Sequence, residues 1–337
     1  MTRLADFTTL HVGGPAKRVI HAKSEEELIA AVVEADSAGE PLLILGGGSN
    51  ILISDDGFAG TVILVETTGN SYEIDACSGG LIQVAAGVGW DEFVAFTLEK
   101  GLANLEALSG IPGTIGASPI QNIGAYGHEV SESIARVRTY DRQEKAIKTF
   151  TAAECHFSYR SSIFKESGDR YVILDVTFHL RNGELSLPVA YPELATALGV
   201  RVGDRAPIAD VRSAVLAIRK NKGMLTGLGI KSAGSFFTNP RLSRAVAEKL
   251  PVDAPRWPQE DGSVKTSAAW LMEIAGVNKG DTYGGAAISD HHVLALTNAE
   301  NASARDLVEL ARIAVAKVKD EFGITLEPEV RLVGVTL

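Results

Sequence analysis

Two periods of apolar residues run along this chain, and the breaks between them are as informative as the periods. Ser24-Glu25-Glu26-Glu27 precedes an apolar stretch of helical period that stops at Gly39 and Pro41. A serine followed three positions later by a glutamate is a capping signature, so a helix of about four turns is predicted. Leu42 to Leu45 is a short unbroken apolar run, read as a buried strand, and Gly46-Gly47-Gly48-Ser49-Asn50 interrupts it. Thr61 to Val65, Ile82 to Ala86 and Tyr171 to Leu180 predict further strands. Asp91 to Lys100, stopped by Gly101, predicts a second helix, and Asp210 to Lys220 a third. The clearest helical period spans Ser303 to Phe322, with Leu307, Leu310, Ala311, Ala314, Val318 and Phe322 on one face and Gly323 as its stop. Residues 1 to about 180 thus read as α+β, richer in strand than a nucleotide fold of strictly alternating units. Arg181-Asn182-Gly183, Tyr191-Pro192-Glu193-Leu194 and the proline-rich stretch from Pro251 to Pro258 follow, and a domain boundary is placed near residue 200. No internal repeat is seen.

The 337 residues suit roughly two domains of ~150 residues each. With 45% hydrophobic and 22% charged residues, the chain is no disordered segment, and no apolar run nears the ~18 residues of a membrane span. Asp6, His11, Lys17, Arg18 and Glu25 to Glu27 interrupt anything like a signal peptide, which makes a cytoplasmic location the default expectation. The balance of 32 basic against 42 acidic residues, net −10, would repel a phosphate backbone, so no nucleic-acid partner is expected. Cys77 and Cys155 cannot make a disulfide framework, and the histidines show no metal-site spacing, so free thiols and no metal are expected.

Glycine is the departure: 34 residues, above the usual ~7%, concentrated in runs. Gly46, Gly47 and Gly48 follow an apolar strand, where consecutive N–H groups can form an anion-binding nest with Ser49 and Asn50 adding donors. A tight loop needing only flexibility is the alternative. The order is not G-x-G-x-x-G and no Gly-Lys-Ser/Thr follows, which disfavours a nicotinamide fold or an ATPase. The second run, Ser109-Gly110-Ile111-Pro112-Gly113-Thr114-Ile115-Gly116-Ala117 and on through Gln121, Asn122, Gly124, Ala125, Tyr126 and Gly127, offers little core and many backbone N–H groups. Two separated cradles suggest a dinucleotide pyrophosphate gripped from two sides, against the alternative of a mobile Ω-loop.

Six motifs occur in an order that resembles the UDP-N-acetylenolpyruvoylglucosamine reductase family over nearly the whole chain. They are Thr9-Leu10-His11-Val12-Gly13-Gly14-Pro15-Ala16, the two glycine runs, Tyr159-Arg160 with Ser162 and Phe164, Gly234-Ser235-Phe236-Phe237-Thr238-Asn239-Pro240, and Leu326-Glu327-Pro328-Glu329-Val330-Arg331. The resemblance implies a vanillyl-alcohol-oxidase-type FAD-binding domain in two subdomains, about residues 1–65 and 66–200. It implies also a C-terminal α+β substrate-binding domain over about 205–320 and a final segment, 321–337, returning to the flavin. It further implies non-covalent FAD, NADPH as hydride donor, and reduction of UDP-N-acetylglucosamine enolpyruvate to UDP-N-acetylmuramate for peptidoglycan synthesis by a cytoplasmic monomer.

The implied chemistry constrains residues. Hydride added to the enol-ether β-carbon leaves charge on the α-carbon and its carboxylate, which must be stabilised and then protonated. Arg160 supplies a planar cation suited to a carboxylate; otherwise it is a surface arginine. Ser235, between a small-residue turn and two phenylalanines, is by resemblance the general acid, although most Gly-Ser turns are merely turns. Glu329 matches the third catalytic position, as proton relay or orienting group, with Glu327 a neighbouring decoy. By resemblance Tyr159, Lys222, Asn239 and Lys279 contact substrate, and Tyr191 matches the lid tyrosine of a subgroup with an extra loop over the nucleotide. Solvated helix-end lysines and a loop-anchoring tyrosine are the plainer readings. Where that subgroup has glutamines, this chain has His291-His292, so the contact expected at His292 would be an imidazole that titrates. An oxidase of the wider vanillyl-alcohol family and a non-catalytic nucleotide-sugar binder are the rivals.

Overall fold

The computed structural model describes residues 2–75 and 77–337. Two compact units interleave in the sequence: a mid-chain unit, Ala16–Gly47 with Ala59–Thr226, and a terminal unit, the chain through Pro15 with Gly48–Phe58 and Gly227–Leu337. The boundary expected near residue 200 falls inside the mid-chain unit, between the helices Pro192–Leu198 and Ile208–Asn221. Those helices bury Leu194, Val211, Val215 and Ile218 in one small cluster, so separating them would expose the apolar stripe of each.

In the mid-chain unit, Leu42–Leu45 pairs in parallel with the later strand Phe58–Val65. The helix Glu25–Ser37 starts where the capping signature places it, with Ser24 Oγ accepting the Glu27 N–H at 3.2 Å. The Glu27 carboxylate takes the N–H of Lys23 instead of that of Ser24, at 2.7 Å. A larger antiparallel sheet has the order Ala146–Thr151, Ile134–Asp141, Tyr171–Asn182, Gly79–Ala85, Asn70–Asp75. Its central strand is buried from Val172 to Phe178, and Phe178 packs on Phe93 of the helix Trp90–Glu99 with ring centroids 4.9 Å apart. Asn70–Asp75 and Ala146–Thr151 carry no readable pattern, because the first is exposed throughout and the second buries Phe150 alone. The hairpin before Ala146–Thr151 is set by Asp141, whose buried carboxylate accepts the N–H groups of Gln143 and Glu144 at 3.0 and 3.3 Å. Hydrogen bonds from Arg170 hold that carboxyl below the usual range.

In the terminal unit, an antiparallel sheet has the order Ser232–Ser235, Ala295–Asn298, Ala286–Ile288, Thr282–Tyr283. The helix Ala304–Phe322 packs its predicted face, Leu307, Leu310, Ala311, Ala314 and Val318, into a core with Phe236, Phe237, Leu271 and Met272. Each large apolar side chain buried there contributes ~1.5–3 kcal/mol. Ser303 and Asp306 cap the helix reciprocally, and Gly323, at φ +68°, ends it. The Asp55 carboxylate accepts the N–H groups of Ala304 and Arg305 at 2.8 and 3.1 Å. Ile51–Ile53 pairs in parallel with Arg331–Val333. Together these contacts fasten Gly48–Phe58 to a unit formed mostly of residues far along the chain. Among the described residues no helix is long and apolar enough to cross a membrane.

Candidate active site

Gly46 and Gly47 lie against the second glycine run. A Cβ on Gly46 would fall 2.5 Å from Thr114 Oγ1, and one on Gly47 would fall 3.0 Å from Gly113 Cα. The two runs, read as separate cradles, are therefore neighbours. Among the described residues the N–H groups of Gly47 and Gly113 donate to no protein acceptor, which leaves them for an anion or a polar ring edge. The wide row of open donors expected along the second run is not there. Gly110 N–H donates to Asp91 Oδ1 at 2.6 Å, Gly116 N–H to Ala86 O at 2.8 Å and Ala117 N–H to Thr114 O at 3.1 Å. Ser109, buried, gives its hydroxyl to Glu106 O at 2.7 Å, and Pro112 has no N–H to offer. The short 3₁₀ turn Ile115–Ala117 takes up the Ala117 N–H, and the one at Glu106–Leu108 the Ser109 hydroxyl. Gly116 is small for packing, since its Cβ would lie 2.7 Å from that of Ala86.

The first run divides between the units at Gly47 and Gly48. Gly48 sits at φ +60°, with a Cβ position 1.9 Å from Phe7 O, so no other residue fits. Asn50 Nδ2 donates to Glu329 O at 3.2 Å, and Asn50 O accepts the Arg331 N–H at 3.0 Å. Its amide thus braces the C-terminal segment. Ser49 belongs to the same stretch and is half-buried.

Arg160 stands on a two-residue turn in the mid-chain unit, between Ser158 and Ser161, which exchange backbone hydrogen bonds of 3.1 Å each. Its Nη2 donates to Gly124 O at 2.9 Å and its Nη1 to Asn122 O at 3.4 Å, while the guanidinium lies 5.4 Å from the Tyr159 ring centroid. Arg160, Asn122 and Tyr126 all have left-handed backbones, φ +55°, +45° and +52°, each at a cost of order 1–2 kcal/mol. Non-glycine strain grouped in one place is the mark of a functional constraint. Asn122 is fully buried, giving Nδ2 to Glu129 and Ser158 O and accepting the Ser131 N–H on Oδ1. Its side chain is a brace, so a cofactor contact from it is confined to the backbone. Gly124 and Ala125 pair with Glu129 and His128 in a short hairpin, and Gln121 is half-buried beside it.

Tyr126 meets Tyr191 edge-on with centroids 6.0 Å apart, and burial pushes the Tyr126 phenol up to about 12. Tyr191 is 44% exposed and immediately precedes the helix Pro192–Leu198. Lys222 closes the helix Ile208–Asn221 and donates to Glu193 Oε2.

In the terminal unit Ser235 ends its strand after a bulge in which Gly234 takes φ +72°. Phe236 and Phe237 are both 1% exposed and anchor the turn that carries the serine. Phe236 O accepts the Glu329 N–H at 2.8 Å, and Phe237 bridges Pro328, so Ser235 and Glu329 lie on adjacent chain segments. Glu327 is exposed while Glu329 is half-buried. Asn239 Oδ1 accepts the Ala268 N–H at 2.9 Å, a structural duty that leaves its Nδ2 for other partners. Lys279 is exposed. His292 Nδ1 accepts the Leu294 N–H at 3.0 Å, so this nitrogen helps to shape a turn.

Residues 226–333 match the model of the UDP-N-acetylenolpyruvoylglucosamine reductase C-terminal domain, and residues 16–149 that of an FAD binding domain. A UDP-N-acetylenolpyruvoylglucosamine reductase of Cutibacterium acnes is 52% identical, covering 99% of this chain and 90% of that protein. This chain belongs to the UDP-N-acetylenolpyruvoylglucosamine reductase family. A second member, from Thermobifida fusca, is 51% identical over 99% of this chain and 97% of its own length. The solved UDP-N-acetylenolpyruvylglucosamine reductase of Thermus caldophilus superposes with a TM-score of 0.68 at 26% identity, covering 98% of this chain and 97% of that one.

Several residues around this reductase's glycine turns escaped the sequence reading. Arg219 donates from Nε to Gly110 O at 3.1 Å and from Nη2 to Met224 O at 3.2 Å, and burial lowers its pKa. Asp91, bound to Arg212 and to Gly110, looked like an ordinary acidic residue at a helix start. Nothing in the sequence spacing pairs residue 91 with 212.

Proposed function

We infer that this chain reduces the enolpyruvyl group of UDP-N-acetylglucosamine enolpyruvate to UDP-N-acetylmuramate in peptidoglycan synthesis, with bound FAD and with NADPH as reductant. The observation that carries this is the 52% identity to a named reductase across 99% of the chain. FAD, when bound, supplies a two-electron carrier that takes hydride from NADPH and gives it to the substrate. Gly46, Gly47 and Gly113 fit such a group, because two bare backbone turns with open N–H groups admit a pyrophosphate or an isoalloxazine edge at close range.

Arg160 is assigned to the substrate carboxylate. A guanidinium held on Gly124 O and Asn122 O is oriented beforehand, so it stabilises charge as it grows without reorganising. Ser235 is assigned the proton that goes to the α-carbon. The bulge and the two buried phenylalanines fix its position, and a weak acid suffices against a carbanion-like centre. Glu329 is assigned to orienting the substrate or restoring the proton of Ser235. Tyr159, Tyr191, Lys222, Asn239, Lys279 and His292 are assigned to the nucleotide sugar. A cytoplasmic monomer completes the reading.

The test is anaerobic absorption spectroscopy of the FAD-loaded protein. NADPH should bleach the flavin band and the enolpyruvyl substrate should restore it. Restoration by oxygen but not by that substrate would favour the oxidase rival and overturn this reading.

A further inference from the structure

We propose that Glu193 is a counter-charge that holds Lys222 while the nucleotide site is empty and yields it to the substrate diphosphate. The inference rests on the reading of Lys222 as a substrate contact.

Lys222 projects from the end of the helix Ile208–Asn221, and its Nζ donates to Glu193 Oε2 in the first turn of the helix Pro192–Leu198. The two helices share one apolar cluster, so both side chains leave a fixed frame and their meeting is a property of the fold. The pair is open to water, with side-chain exposures of 31% for Lys222 and 42% for Glu193. Such a pair is weak and exchanges readily. A diphosphate offers the same ammonium more charge and more acceptor oxygens than one carboxylate does. Once that diphosphate is beside Lys222, Glu193 faces a like charge and is driven off. Glu193 thus sets nucleotide affinity without belonging to the contact itself.

The experiment measures the dissociation constant of UDP by calorimetry on the FAD-loaded protein, at one fixed ionic strength. The four proteins are wild type, Glu193→Gln, Lys222→Ala and the double variant. Glu193→Gln should tighten UDP by about two- to five-fold, the range an exposed ion pair supports. Lys222→Ala should weaken it about ten-fold or more, as loss of a charge-assisted bond does. In the Lys222→Ala background, Glu193→Gln should then change affinity less than about two-fold, since the competition has lost its object. Weaker or unchanged UDP binding by Glu193→Gln, with Lys222→Ala impaired, would overturn the counter-charge and leave the nucleotide role of Lys222 standing. Wild-type binding by Lys222→Ala would overturn both.

Discussion

Replacing Asp91 with asparagine should loosen the glycine turn at Gly110 while leaving every residue assigned to the reaction in place. Asp91 Oδ1 accepts the Gly110 N–H and Arg212 Nη1, both at 2.6 Å, and Oδ2 accepts Arg212 Nη2 at 2.9 Å. An asparagine could still accept from Gly110, but its NH₂ would face a guanidinium, donor against donor. Charge-assisted hydrogen bonds contribute ~1.5–3 kcal/mol. The Asp91 side chain is 38% exposed, and discounting for solvent screening brings the cost of Asp91→Asn to ~1.5–2.5 kcal/mol. At ~2–4 °C per kcal/mol for a unit of this size, the melting temperature should fall by ~3–10 °C. Burial raises the Asp91 carboxyl, yet Arg212 and the Gly110 N–H outweigh it and hold it below the usual range. A depressed pKa contributes stability above the unfolded value of ~3.9 that is lost as pH falls through the folded one. Asp91→Asn should therefore also flatten the acid side of the stability profile. The Gly110 N–H would then keep an acceptor that Arg212 no longer braces, and FAD should dissociate faster. Calorimetric melting with and without FAD, at several pH values, measures both effects. A melting temperature within about 1 °C of wild type and an unchanged acid limb would refute the assignment of Asp91 as the clamp on this turn.

Ser235→Ala should keep near-normal bleaching by NADPH in anaerobic stopped flow and lose reoxidation by the enolpyruvyl substrate by roughly 10²-fold or more; reoxidation at the wild-type rate would remove Ser235 as proton donor. Tyr191→Ala should weaken UDP-sugar binding more than it slows flavin reduction, because a ring over the nucleotide is remote from the nicotinamide step. His128 presents both ring nitrogens to acceptors, Glu132 Oε2 at 3.0 Å and Pro188 O at 3.1 Å, and the Glu132 contact raises its pKa against desolvation. Its stabilisation is complete below the unfolded pKa of ~6.5 and fades as pH rises through the higher folded value, so urea midpoints of His128→Gln should lack the decline that wild type shows over that window. Gly48→Ala, whose methyl would meet Phe7 O at 1.9 Å, should lower the melting temperature sharply or give insoluble protein; normal melting would mean that the loop can reroute.

The sequence alone determined the local elements whose signals are local. Ser24 announces its helix, because a cap needs only three or four neighbouring residues. The face of Ala304–Phe322 was legible because helical period is a property of one segment. Motif order gave the family, since six short runs in one order, among them those of Arg160, Ser235 and Glu329, are far more specific than any single run. Strands with no buried face, such as Asn70–Asp75, left no pattern, and the position of the unit boundary was hidden because Gly48–Phe58 is claimed by pairing with Arg331–Val333, nearly the length of the chain away. The same distance hid the work of the glycines. From composition, Gly46, Gly110, Gly113 and Gly116 looked alike. In three dimensions Gly116 is small for Ala86, Gly110 is clamped by Asp91 and Arg219, and Gly47 and Gly113 keep their donors open. Which backbone groups are spent and which remain for a ligand depends on partners brought near by the fold, and the cost of a buried unpaired N–H makes that choice a tertiary one.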